Sequence, residues 1–201
     1  WPINEKEVPQ TDVPGEWTSP TQPITELPLP FERQGVSIND LIDYTPEIRT
    51  AIKQLLKNYR LGPLYTPPSI VGASDGTNGT LSLPFATGGA NWEGSALDPM
   101  SGLLFVPSQT RVGLMELVNE PESSDIRYIS GTTPPPKVLD IPIAKPPWGR
   151  ITAIDLNTGA HRWSIANGDT PKNIKENPAL GGIDLPRTGK QIFLFHENKN
   201  N

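Results

Sequence analysis

The sequence predicts a mainly β chain with one inserted amphipathic helix and long proline-rich loops. Three observations carry that expectation. Prolines number 24 in 201 residues, more than twice the usual ~5%. Proline lacks an N–H and fixes φ, so clusters such as Pro134-Pro135-Pro136 and Pro146-Pro147 cannot lie inside helices or central strands, and they cut the chain into short elements. Two stretches, SALDPMSGLLFVP (95–107) and ITAIDLNTGAHRW (151–163), share one pattern: a small residue, an apolar one, Asp, two variable positions, Ser or Thr, Gly, then an apolar or aromatic run. Such a pattern predicts a strand, a turn opened by an Asp that binds its own backbone, a glycine supplying positive φ, and a returning strand. The turn residues Asp98, Gly102, Asp155 and Gly159 are therefore read as structural. Helical spacing of apolar residues is clear in one stretch, SINDLIDYTPEIRTAIKQLLKNYRLG.

Taken in order, residues 1–36 alternate prolines with polar residues and predict extended or irregular chain wrapping a surface. Residues 37–61 form the helical insertion. Ile48, Ile52, Leu55, Leu56 and Tyr59 recur at three- and four-residue spacing, with Thr45 as N-cap, Pro46 at the first helical position and Gly62 past the end, which predicts a helix over 46–60. A shorter turn is expected over 38–43, capped by Ser37 with Asp40 three residues on. Prolines 63, 67 and 68 and the run VGASDGTNGT then predict a surface loop. Asn78-Gly79-Thr80 formally fits a glycosylation acceptor, but a simple turn is the plainer reading. Residues 80–118 hold blade-like strands: Leu81 and Leu83, 94–97 and 103–107, while 111–118 is open between a strand and a helical turn. Residues 119–147 form a proline-rich loop, 148–190 return to strands, and 191–201 are an atypical tail. All of this is read as a single domain.

With 17 basic against 22 acidic residues and no block of like charge, the chain lacks the footprint of a phosphate-backbone partner, so no nucleic acid is expected. No apolar run approaches the ~20 residues of a membrane-spanning helix, and the first residues lack the basic-then-apolar order of a secretory signal. Without cysteine there is no disulfide and no thiolate metal site.

Several tempting groups carry plainer explanations. His161 and His196 stand apart and make neither a metal cluster nor a triad, so both are read as solvated surface. Glu93 borders a loop while Asp98 starts a turn, which argues against a carboxylate pair. Glu116, Glu120, Glu122 and Asp125 lack the alternating ligands and turn glycine of an EF-hand. Trp148, before Gly149 at a strand entrance, is read as packing. The loop GGANWEG (88–94) is harder to dismiss, because it sets a large ring and an amide, Trp92 and Asn91, among glycines that let a backbone come close to a ligand.

In AIDLNTGAHRW the spacing of Ala153, Asp155, Thr158, Gly159 and Trp163 resembles the tryptophan-docking motif of quinoprotein β-propellers, the dehydrogenases dependent on pyrroloquinoline quinone (PQQ). VPQTDVPGEWTSPTQP (8–23), FERQGV (31–36), LYTPPS (64–69), GGANWEGSALDP (88–99), PPWGRITAIDLNTG (146–159) and LPRTGK (185–190) resemble the glucose-dehydrogenase-like branch, over roughly Trp1 to Lys190. The resemblance implies a partial β-propeller of about two blades, each a four-stranded antiparallel sheet, with Trp163 packing between blades and Trp1 closing a preceding one. Trp1 and the divergent tail together imply a C-terminal-half fragment. The implied activity is oxidation of an alcohol or aldose sugar, with PQQ and calcium as cofactors, a quinone or cytochrome as electron acceptor, and a periplasmic location. In the family an aspartate base and a Lys or Arg sit beside the quinone; none of these, and no metal ligand, maps onto this chain. What maps is Asn91-Trp92, as the pair that approaches the cofactor. The alternative is a non-catalytic propeller-derived module. In either case open sheet edges imply that the chain associates with itself or with a complementary chain unless its proline-rich segments cover them.

Overall fold

The computed structural model describes residues 1–90 and 94–190. β1 (Ile3–Glu7) pairs antiparallel with β2 (Thr21–Thr25), Ile3 opposite Thr25 and Glu7 opposite Thr21. Every residue of β1 is exposed, so no alternation of polarity marked this ribbon in the sequence. β3 (Gly35–Val36) leads into the Ser37 cap, whose N–H donates to Asp40 Oδ2 at 2.8 Å over a single helical turn, Ile38–Asp40. The helix α1 (Pro46–Leu55) begins where expected, with the Ile48 N–H donating to Thr45 Oγ1 at 3.1 Å. It tightens into a 3₁₀ turn over Leu56–Asn58, ending two residues before the expected 60.

β4 (Gly62–Pro63) pairs with β3. Next come β5 (Ser69–Ile70), β6 (Thr80–Ser82), β7 (Ala96–Asp98), β8 (Leu103–Gln109) and β9 (Gly113–Val118). The ambiguous stretch 111–118 is thus a strand. β10 (Ile129–Ser130), β11 (Lys137–Val138) and β12 (Ile141–Pro142) interrupt the proline-rich loop, and β13 (Gly149–Asp155), β14 (His161–Ala166) and the short α2 (Lys172–Lys175) follow.

The architecture is mainly β, as expected. β14, β13, β8 and β7 form an antiparallel four-stranded blade in that order, with Ala153 opposite both Phe105 and Trp163. The two repeated stretches of the sequence are its two hairpins. A second four-stranded sheet gathers β10, β5 and β6 around β9, with β5 parallel to it. The apolar core lies on this second side of the molecule, where Ile48 and Ile52 of α1 join Leu81, Leu114, Ile141 and Trp148, all buried. Each such aliphatic side chain contributes roughly 1.5–3 kcal/mol. The outer part of the blade is barer: Trp163 stacks at 5.7 Å on Phe105 yet stays 41% exposed, and Leu97 and Ile165 are 53% and 54% exposed.

At one end of the blade both hairpin turns close as the sequence predicts. Asp98 accepts from the Met100 N–H at 3.0 Å and from Ser101 Oγ at 2.5 Å, and Gly102 takes φ +69°. Asp155 accepts from the Asn157 N–H at 2.9 Å, and Gly159 takes φ +74°. The Leu156 N–H donates to the Gly102 carbonyl at 2.9 Å and ties the two turns together. The Ser101 hydroxyl holds Asp98 below the usual carboxylate range, and the Asn157 N–H does the same for Asp155.

Candidate functional site

The opposite, open end of the blade gathers the chemistry. Here β8 ends, β13 begins, and the loop through Gly88–Ala90 approaches. Glu32, from the segment between β2 and β3, is buried at 5% exposure among these ends. Its Oε2 accepts from the Thr110 hydroxyl at 2.8 Å, and Arg150 Nη2 reaches both carboxylate oxygens at 3.2 Å. Arg150 also donates to Thr110 Oγ1, to the Pro147 carbonyl at 3.2 Å and to the Phe31 carbonyl at 3.4 Å. Burial pulls the Arg150 guanidinium below its ordinary value while the Glu32 charge opposes that pull. Arg33 extends the cluster, donating through Nη2 to the Lys145 carbonyl at 2.6 Å.

The loop rests on this charged floor. A methyl group on Gly89 would lie 3.0 Å from Glu32 Cβ, and the Gly89 carbonyl accepts from the Gln109 N–H at 2.7 Å. Ser108 and Arg150 are cross-strand partners on β8 and β13, and Ser108 Oγ and Arg150 Nε are buried without a hydrogen-bond partner among the described residues. These two donors at cross-strand positions are what an oxygen-rich ligand, or a water carried with it, would satisfy.

Beside the floor lies a cavity of about 480 Å³, lined in part by Thr110 and Trp148. Trp148 is 2% exposed, its ring N–H donating to the Ala144 carbonyl at 2.9 Å, so its reading as a packing residue holds although one face also lines the cavity.

Asn91, Trp92, Glu93 and His196 lie outside the described residues. His161, expected in solvent, is pinned by a 2.9 Å hydrogen bond between Nε2 and the Leu29 carbonyl. Glu116 is buried, accepting from the Thr133 N–H at 2.8 Å, which makes it a strap for the loop after β10. Among the described residues no group of three or more His, Cys, Asp or Glu side chains is placed to hold a metal, so no step is assigned to calcium here. Nor is any described helix long and apolar enough to cross a membrane. Sequence reasoning missed Glu32, Thr110, Ser108 and Arg150 as a group. The signal was a charged residue inside FERQGV and another at the strand entrance PPWGR, two stretches valued for their resemblance rather than their charge.

The family model "PQQ: Glucose/ethanol/alcohol dehydrogenase, beta-propeller domain" matches residues 1–193. The chain belongs to this family. Among relatives of this quinoprotein domain, the quinate/shikimate dehydrogenase (quinone) of Acinetobacter baylyi is 32% identical over 225 residues, 95% of this chain and 27% of the relative. A probable quinate dehydrogenase (quinone) of Xanthomonas campestris pv. juglandis is 27% identical over 96% of this chain and 27% of its own length. The quinoprotein glucose dehydrogenase of Escherichia coli is 26% identical over 88% of this chain and 24% of its own. The domain therefore spans about a quarter of the length of these relatives.

Proposed function

We propose that the open end of the blade is one wall of a PQQ site in a dehydrogenase that oxidises a hydroxyl group of an alcohol, a sugar or a cyclic polyol. Membership of the PQQ dehydrogenase family carries this reading, and the cross-strand Ser108 Oγ and Arg150 Nε, without a partner among the described residues, support it as a place where an oxygen-rich cofactor fits. PQQ, when bound, supplies an electrophilic quinone able to accept the equivalent of a hydride. This chain's part is positioning. Glu32 and Gln109 fix the root of the loop, the Asn91 amide is the donor toward the cofactor, and the Trp92 ring is the flat contact. The base that takes the hydroxyl proton is assigned to a part of the enzyme other than this domain. The names of the relatives point to quinate and glucose as model substrates. Calcium, a quinone or cytochrome acceptor and a periplasmic location belong to the same proposal.

The exposed Leu97, Trp163 and Ile165 favour a second reading, a non-catalytic module that seats against a complementary chain carrying further blades. Titration with PQQ, with and without calcium, followed by tryptophan fluorescence, separates the two. Saturable quenching that Asn91→Ala weakens by about tenfold, the worth of one charge-assisted hydrogen bond, and that Trp92→Phe alters, is expected for a cofactor wall. Absence of quenching, or quenching indifferent to Asn91→Ala, leaves the module reading.

A further inference from the structure

The pair Asn-Gly occurs twice in the sequence, at Asn78-Gly79 and Asn167-Gly168. Asparagine is thermolabile, because the backbone nitrogen that follows it can attack its side-chain amide carbon. A following glycine offers no side chain to block that approach. The fold treats the two pairs in opposite ways.

At Asn78 both reacting groups are held. Its Oδ1 accepts from the Gly72 N–H at 2.9 Å, and the Gly79 N–H donates to Ser69 Oγ at 3.0 Å. Gly79 is buried, and a methyl group on it would meet Leu114 Cδ1 at 2.7 Å. At Asn167 neither group is held. Among the described residues its side-chain amide has no hydrogen-bond partner, and the Gly168 N–H has no acceptor. Gly168 is exposed and turns at φ +86°. The nearest atom to a methyl group there would be Lys190 Cβ at 3.6 Å, so the amide and water both have room. The carbonyl of the same peptide unit accepts from the Lys190 N–H at 2.9 Å. A hydrogen bond on a peptide carbonyl polarises the unit and makes its N–H easier to deprotonate.

We propose that Asn167-Gly168 is a deamidation site, at which water alone converts the asparagine to aspartate or isoaspartate. The Gly168 N–H gives its proton to water or hydroxide, its nitrogen bonds to Asn167 Cγ, and the side-chain NH2 leaves as ammonia. The cyclic imide so formed takes up one water at either carbonyl and opens to aspartate or to isoaspartate, with no change of oxidation state. Either product adds a negative charge, and isoaspartate also reroutes the backbone through the side chain. The position gives this chemistry its reach. The Asn167 N–H donates to the Gly149 carbonyl at 2.8 Å while its own carbonyl holds Lys190. Gly149 opens β13 directly before Arg150, so the change falls at the root of the floor that Arg150 and Glu32 make. The proposal goes beyond the PQQ reading and does not require it, because its readout is the covalent state of the backbone.

Peptide mapping of the whole chain by mass spectrometry, after ageing in mildly alkaline buffer, is the test. In the folded chain the peptide carrying Asn167 should gain aspartate and isoaspartate at least about tenfold faster than the peptide carrying Asn78, whose hydrogen bonds must break first. Ammonia should appear in equal amount, and the rate should rise with pH, as attack by a deprotonated nitrogen requires. Asn167→Gln should stop the reaction at this position. Ser69→Ala, which frees the Gly79 N–H, should speed conversion at Asn78 several-fold. Ageing in urea should bring the two sites to similar rates, and this comparison keeps the test sound if Ser69→Ala folds poorly. The aged, more acidic fraction, separated by anion exchange, should unfold at lower urea than the fresh chain. Equal rates at the two sites in the folded chain, or an Asn167 amide that persists as long as that of Asn78, overturns the site. An aged fraction that unfolds together with the fresh chain overturns its link to the open end.

Discussion

The same four strands end in two different ways. At the turn end each turn is closed by bonds that reach two or three residues along the chain, Asp98 to Met100 and Ser101 and Asp155 to Asn157, and a longer bond from Leu156 to Gly102 joins the closed turns. At the open end Glu32 reaches 78 residues to Thr110 and 118 to Arg150. The turn end is a local solution that any short peptide of this sequence begins to find. The open end exists only when the ribbon segment, both strand ends and the glycine loop have come together, and its central interaction is a buried charge pair whose two halves are costly apart. A blade built this way has a self-sufficient end and an end that depends on assembly, and the assembled end is the one that can be shaped by a ligand.

The largest effect expected from breaking this contrast comes at Glu32. Glu32→Ala leaves Arg150 buried without its carboxylate, and urea unfolding should show a loss of about 3–5 kcal/mol. Glu32→Leu with Arg150→Met should recover much of that loss, since a buried pair gains little over well-packed apolar residues, while PQQ binding stays impaired because the loop has lost its floor. A single-variant loss near zero would mean that the open end is held by something other than this pair.

Gly102→Ala tests the turn end, and its effect should be smaller. At φ +69° an added Cβ costs roughly 1–2 kcal/mol, and it would also come within 2.8 Å of Asn157 Nδ2, the neighbouring turn. PQQ binding at the far end should be unchanged. A variant that lost both stability and PQQ affinity would show the two ends to be coupled through the strands.

This division also explains what could be read from the sequence. Asp98, Gly102, Asp155 and Gly159 were legible because each acts on neighbours within the same motif, and Thr45 and Pro46 announced α1 for the same reason. The β1–β2 ribbon was not, because five exposed residues in β1 carry no alternation. Glu32 and Arg150 were not, because a charge in sequence looks like a surface charge until its partner 118 residues away is known. The cavity was hidden for a related reason. Arg111, Lys137 and Lys190 stand in three separate segments, and only the fold brings them to one cavity.

The smallest effect expected is in acid. Asp98 and Asp155 have their carboxyls held below the ordinary value, so in the folded chain they stay ionised to lower pH than they do unfolded. Their contribution is therefore present above about pH 4, the unfolded range, and fades as pH falls through the lower folded values. Replacing both with Asn should keep the turns, since an amide oxygen accepts the same N–H bonds, while removing the titration. Thermal melts between about pH 6 and 3 should then show a shallower fall for the double variant than for the parent. Identical slopes would mean that acid acts elsewhere than at these two turns.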